Sequence, residues 1–333
     1  SEVVVERLGL SFGLAWAIVI GLLMALRSWP RLRGWSVSGA VIALAACPVL
    51  VPSEFPGARA LSVFVGFDAM FRVIDVSRRQ RDGNVAGSLR TDLGFFVPFP
   101  VLLVTGEERS AARRITSTIG AAVARAAAGL TLFLAAWTVL FALQKSQTLR
   151  SSFALDHTVK STLFAVTLEI IGSLAAGLER LCGFDAPRLM NRILCSRTPA
   201  EFWLRYNTRV HLWMLRNVFR RVGAAHHPVW GVTFVFFVSA VFHEAAFDVA
   251  LSRIDGTQFA FFMLQIPAVL ASPALERFAK RGGVPARVMA HAVTIMWLLI
   301  TSVLFFRGIG KIFPFYYTAP MPGTVFGVWR LGS

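Results

Sequence analysis

Long apolar runs separated by shorter polar ones set the pattern of this chain. Residues 8–26 form an uninterrupted run ending at Arg27, and residues 37–52 a shorter one broken by Pro48 and Pro52. Residues 58–76 are apolar but carry Asp68, Arg72 and Asp75. These three fall at i, i+4 and i+7, so they share one helical face and their opposite signs can pair. Residues 93–105 are apolar too, but Pro98 and Pro100 disfavour a straight helix. A re-entrant element buried in protein is expected there. The runs 115–143, 161–178, 229–251, 257–275 and 286–306 follow, with Glu169 near the centre of 161–178. Several approach or exceed the ~18 apolar residues that suggest a bilayer span. The pattern predicts an all-α fold, a polytopic transmembrane bundle of about eight or nine spans with re-entrant and interfacial helices. No internal repeat or low-complexity tract interrupts it, so one integral domain over 1–333 is the simplest organisation.

Composition agrees. The chain is 56% hydrophobic with mean hydropathy +0.62, against about 45–50% apolar for soluble domains. Lys and Arg number 34 against 18 Asp and Glu, a net charge of +16. In a soluble protein that excess would suggest nucleic acid, but no RNA-binding motif or polybasic tail is present. In a membrane chain the distribution of loop cations reports orientation. The segment 179–228 carries Arg180, Arg188, Arg192, Arg197, Arg205, Arg209, Arg216, Arg220 and Arg221. The loop near 252–256 has only Arg253 against Asp255, and the next, near 276–287, is basic again. The alternation places 179–228 in the cytoplasm. A smaller share of the charge can serve an anionic ligand such as a phosphate-bearing acyl carrier. Three cysteines, Cys47, Cys182 and Cys195, are an odd count without CxxC spacing, which supports neither a disulfide framework nor a zinc site. The first run follows Glu2, Glu6 and Arg7 and has no clear small-residue cleavage site, so it reads as a retained span.

Two polar segments stand out. On a helix over 200–221, Arg205, Arg209, Arg216 and Arg220 fall within a stripe of ~60°. Asn207, His211 and Met214 fall opposite, with Trp203 near them. Such a helix is expected to lie along the membrane surface with its Arg heads reaching phosphates or water. A plain interfacial anchor fits the same pattern. The second segment is Ser239-Ala-Val-Phe-His243-Glu244. His243 lies 14 residues beyond Val229, which is ~21 Å along a helix. Ser239 shares its face, whereas Glu244 points about 100° away. A histidine at that depth can hold helices together, relay protons or do chemistry. Phe247 stands where HExxH needs its second histidine, which argues against a zinc protease. Alcohol acylation needs such a group: a neutral imidazole can take the hydroxyl proton, and an amide such as that of Asn207 can stabilise the oxyanion. The other histidines promise less. His226 and His227 precede Pro228 at a helix start, and His157 and His291 read as structural. Glu169 and Arg125 can pair across helices.

Together the segments resemble the membrane-bound O-acyltransferase superfamily. Phe202-Trp203-Leu-Arg-Tyr206-Asn207, with His211, Trp213 and Arg216, is similar to the FW-x-x-W-N…H-x-W-x-x-R block of its sterol and diacylglycerol acyltransferase branch. Ser239 through Glu244 resembles its S-x-x-x-H-E helix. The lead-in Phe184-Asp-Ala-Pro187 and Ser196-Arg-Thr-Pro199 is similar to wax-synthase-like and bacterial members. The resemblance implies a bundle enclosing a tunnel, with His243 and Asn207 catalytic and His211, Glu244 and Ser239 supporting. It implies a donor site at Trp203, Arg205, Arg209, Arg216 and Arg220, with 199–221 as a cytoplasmic motif segment. The donor is acyl-CoA or acyl carrier protein, and the acceptor a hydroxyl of a lipid or long-chain alcohol. The reading calls for no metal and no cofactor beyond acyl-CoA as substrate. It suits a bacterial inner membrane and leaves a homodimer open. Tyr206 departs from the pattern, which has Trp there. The competing class is a lipid or proton-coupled transporter using His243 and Glu244 as an ion or headgroup site, although such folds usually show repeat symmetry.

Overall fold

The computed structural model describes residues 2–29, 31, 33–81, 119–181, 188–222 and 226–321. The expected re-entrant element at 93–105, the lead-in 184–187 and Cys182 lie outside these residues. In chain order the helices are α1 (Glu2–Ser28), α2 (Arg33–Ala46), α3 (Pro56–Arg81), α4 (Ile119–Leu143), α5 (Gln147–Ser151), α6 (Phe153–Leu181), α7 (Pro199–Arg205), α8 (Thr208–Asn217), α9 (Pro228–Leu251), α10 (Thr257–Arg281) and α11 (Gly283–Ile312). Among the described residues there is no strand, and seven helices are long and apolar enough to cross a membrane. They are α1, α2 with the 3-10 turn Cys47–Leu50 that Pro48 imposes, α4, α6, α9, α10 and α11. The protein is an integral membrane helical bundle.

The chain divides into two compact units. The first comprises residues 1–127, 173–189 and 246–252. In it α1, α2 and α3 pack on one another around Leu23, Leu44 and Val73, none of which has any exposed surface. Helix approach there depends on small residues, as membrane packing usually does. A Cβ on Gly66 would lie 2.8 Å from the Leu44 carbonyl oxygen, and one on Gly177 would lie 2.7 Å from the Ala126 nitrogen. Helix α3 is not among the seven, because its charged residues dilute the run expected at 58–76. Those charges pair as their spacing foretold: Arg72 meets Asp68 at 2.7 Å.

The second unit comprises residues 128–172, 190–245 and 253–333. Its α10 contains Pro267 and Pro273, whose missing N–H groups a membrane helix tolerates when neighbours satisfy the freed carbonyls. Helix α6 begins at Phe153, about two turns before the run expected from 161. The polar residues Asp156, His157 and Lys160 precede the expected run, yet all three are buried in the helix. Lys160 Nζ meets Asp156 Oδ1 at 2.8 Å, with both side chains fully buried. Lys160 also donates to Thr318 Oγ1 at 2.7 Å. Asp156 Oδ2 accepts from the Thr318 and Ala319 amides at 2.7 and 2.9 Å. His157 meets the Tyr317 hydroxyl at 2.7 Å and the Leu299 carbonyl at 2.9 Å. This network straps the segment after α11 onto α6.

Removing one member of a buried ion pair leaves the other charge uncompensated, at about 3–5 kcal/mol. Lys160→Met is therefore expected to lower the unfolding midpoint in detergent strongly. Asp156→Asn/Lys160→Met should lower it by less than the sum of the single effects. Additive losses would show that the two groups do not depend on each other.

Candidate functional site

Residues 190–198 form an irregular stretch that leads into α7, and the two together are pinned to three helices. The Glu169 carboxylate on α6 accepts the Ile193 amide at 2.7 Å. On α11, His291 Nδ1 donates to the Ser196 carbonyl at 2.8 Å and Thr294 Oγ1 to that of Arg197 at 2.9 Å. On α10, Ser272 Oγ accepts the Ala200 amide at 3.0 Å. Thr198 caps α7 by accepting the Glu201 amide at 3.2 Å, with Pro199 in the first turn. Such a cap is favourable because the first helical N–H groups lack intrahelical partners.

The expected single helix over 200–221 is not what forms. Helix α7 stops at Arg205, Tyr206 is extended, and Asn207 adopts the left-handed conformation with φ 43°. Asn is one of the few residues that enters that region readily. Its Oδ1 then caps α8 by accepting the Val210 amide at 3.2 Å. The sequence pattern cannot show this break, because a helical wheel assumes continuity across the very residue that ends it. The arginine stripe dissolves with it. Arg209 has no exposed surface at all, so it cannot reach headgroups or water. Arg205 pairs with Glu201 at 2.5 Å and reaches the Arg192 carbonyl, bracing the loop. Arg216 is half-buried and donates to the Leu212 carbonyl at 3.1 Å, and Arg220 is exposed. His211 on α8 is partly buried, and burial pushes its imidazole below the ordinary 6.5.

His243 sits on α9, two turns before its end. Its Nδ1 lies 2.8 Å from the Ser239 carbonyl oxygen. A carbonyl only accepts, so Nδ1 carries the proton and Nε2 presents its lone pair. Thus Ser239 contributes its backbone rather than its hydroxyl. The imidazole lies against Phe262 of α10, ring centroids 4.1 Å apart, and 6.5 Å from Phe305 of α11. Phe262 also packs against Trp203, at 5.6 Å, and Trp203 meets Phe236 of α9 at 5.4 Å. The two polar segments, far apart in sequence, therefore converge on shared aromatic rings. Trp203, Tyr206, Phe262 and Phe305 line one apolar cavity between α6, α7, α10 and α11. The Trp203 indole N–H is enclosed without a hydrogen-bond partner.

Glu244 turns away from this cavity. Its Oε1 accepts the Asp255 and Gly256 amides at 3.3 and 2.5 Å, and its Oε2 accepts Phe259 N–H at 2.8 Å. It caps the start of α10. The cavity-wall phenylalanines Phe262 and Phe305 carried no signal in the sequence, since 29 phenylalanines are spread through the chain. Among the described residues no group of three His, Cys, Asp or Glu could hold a metal ion.

The sequence profile of MBOAT, the membrane-bound O-acyltransferase family, matches residues 111–305. No curated protein matches the chain.

Glu244→Ala leaves three backbone N–H groups without their acceptor, two of them part-buried, and is expected to cost about 1–3 kcal/mol in all. Glu244→Gln, which keeps an acceptor oxygen, should lose less, as read by thermal unfolding. An equal melting temperature for Ala and wild type would mean the carboxylate is not needed as a cap. His211 gives a second test. Its folded pKa lies below the unfolded one, so the unfolded chain binds the proton first. Its contribution is complete above pH 6.5 and declines as pH falls below that value, with a slope of at most about 1.4 kcal/mol per pH unit. His211→Gln should flatten part of that decline.

Proposed function

The chain belongs to the membrane-bound O-acyltransferase family, and from that premise we propose that this acyltransferase moves a fatty acyl group from a thioester, acyl-CoA or acyl carrier protein, to a hydroxyl of a lipid or long-chain alcohol. His243 is the general base. Its Nε2 takes the acceptor's hydroxyl proton as the oxygen attacks the thioester carbonyl. The tetrahedral oxyanion is met by the Asn207 amide, whose Oδ1 is held by the α8 cap and whose Nδ2 donates. As the intermediate collapses, the C–S bond breaks and the thiolate takes the proton from Nε2. The ester and the free thiol leave. The apolar cavity beside Phe262 receives the acyl chain, and exclusion of water there keeps the thioester from hydrolysis. Arg216 and Arg220 meet donor phosphates from the cytoplasmic side, which 179–228 faces.

The observation that carries this reading is the state of the His243 ring. Its Nδ1 is committed to the Ser239 carbonyl, which leaves the basic nitrogen free on a ring packed against the cavity wall. At His157, by contrast, both ring nitrogens are bonded within the protein.

The test is transfer of labelled acyl groups from acyl-CoA to a panel of alcohols by the purified protein in lipid nanodiscs. His243→Ala should reduce turnover by about 10²–10⁴-fold without changing the unfolding midpoint. Asn207→Asp keeps the cap and the tolerance for left-handed backbone but removes the amide donor. It should lose about 10²–10³-fold in kcat while remaining folded. Undiminished turnover in folded His243→Ala would falsify the assignment of the base.

A further inference from the structure

The cavity is apolar except for a few groups, and all but two of these have a partner among the described residues. Ser302 Oγ donates to the Leu299 carbonyl at 3.0 Å and meets His157 Nε2 at 3.1 Å. Ser161 Oγ lies 3.3 Å from His157 Nδ1. Thr162 Oγ1 donates to the Thr158 carbonyl at 2.8 Å. The Trp203 N–H is enclosed among rings. There remains Tyr206, which lines the cavity and whose hydroxyl makes no hydrogen bond to any described residue. Its ring is held firmly, stacked on Phe202 at 5.5 Å and set edge-on to Trp203 at 5.5 Å. The end of α7 fixes its backbone through the Phe202 carbonyl at 2.8 Å.

A phenol in an apolar wall, with no partner in the protein, is a donor waiting for a ligand, because leaving it unbonded is costly. An acyl chain seated in this cavity brings few polar atoms with it, and the carbonyl oxygen of its thioester is the strong acceptor among them. Tyr206 is adjacent in sequence to Asn207 and shares the Trp203–Phe262 ring cluster with His243. On the acyl-transfer reading the reacting carbonyl sits beside these rings, within reach of His243. We propose that the Tyr206 hydroxyl donates a hydrogen bond to the thioester carbonyl of the acyl donor, acting beside Asn207 as a second donor to that oxygen. This rests on the acyl-transfer reading above. Burial holds the phenol up to about 12, so it stays protonated, and remains a donor, across the working range.

The experiment compares two ligands and two proteins. Binding of acyl-CoA is measured beside that of the alkyl-CoA thioether, in which a methylene replaces the carbonyl. Wild type should prefer the carbonyl ligand by about 5–10-fold. Tyr206→Phe keeps the ring and should bring that ratio close to one, while kcat for acyl transfer falls about 10²-fold. Tyr206→Met serves the same comparison if the Phe variant does not fold. A purely structural tyrosine would alter stability and leave the ratio untouched. If wild type transfers acyl groups and needs His243, yet Tyr206→Phe keeps both the ratio and kcat, the hydroxyl role is overturned and the enzymatic reading stands. If the ratio collapses in Tyr206→Phe but wild type acylates no acceptor, the carbonyl contact stands and the enzymatic reading falls.

Discussion

A polar group that leaves water for lipid has only the protein to turn to, and each such group here decides a piece of structure. Glu169 spends its carboxylate on the Ile193 amide, which ties an irregular loop to a spanning helix. Glu244 takes the first amides of α10, so one spanning helix starts where another's side chain ends it. Asp156 and Lys160 hold each other and the segment after α11. Hydrocarbon enforces this accounting, because an unsatisfied donor or acceptor in it costs several kcal/mol. The departures from full satisfaction are then informative. Among the described residues in and beside the cavity wall, His243 Nε2, the Asn207 amide nitrogen and the Tyr206 hydroxyl have no protein partner, nor has the enclosed Trp203 N–H.

The same constraint explains why the motif segment breaks where it does. A continuous amphipathic helix over 200–221 would carry Asn207 as an ordinary interior residue, with its amide facing wherever the wheel sent it. Ending α7 at Arg205 and restarting at Thr208 makes the asparagine a cap. The cap fixes Oδ1 and so fixes the plane of the amide. Preorganisation of this kind is what a donor to a developing oxyanion needs, since it removes the cost of orienting the dipole during reaction. The burial of Arg209 follows from the same break, which turns the start of α8 inward.

What could be read beforehand depended on whether neighbours along the chain or across space decide the outcome. The spans were legible because apolar length is a local quantity, and Arg72 with Asp68 was legible because i, i+4 spacing is local too. His243 was legible because a lone imidazole in a hydrophobic run is expensive wherever it points. The start of α6 was not. Asp156, His157 and Lys160 carry no sign of burial until their partners at Leu299 and Tyr317–Ala319 are in place, and those lie more than 140 residues away. The cavity was hidden for a similar reason: Phe262 beside His243 and a phenylalanine facing lipid are the same letter.

Tyr206 joins these strands. In the sequence it registers only as a substitution within a motif, an aromatic exchanged for another with a hydroxyl added. In three dimensions the hydroxyl is what distinguishes it, because its ring packs on Phe202 and Trp203 in the wall of an apolar cavity while its oxygen bonds to no described residue. A membrane protein that satisfies the Lys160 ammonium with Asp156 and Thr318 and its carbonyl with Tyr316 has little structural reason to leave a phenol idle nearby. The economical explanation is that its partner arrives with the substrate. The carbonyl of a bound thioester would then meet donors on either side of the α7–α8 break, from adjacent residues whose geometry one left-handed asparagine sets.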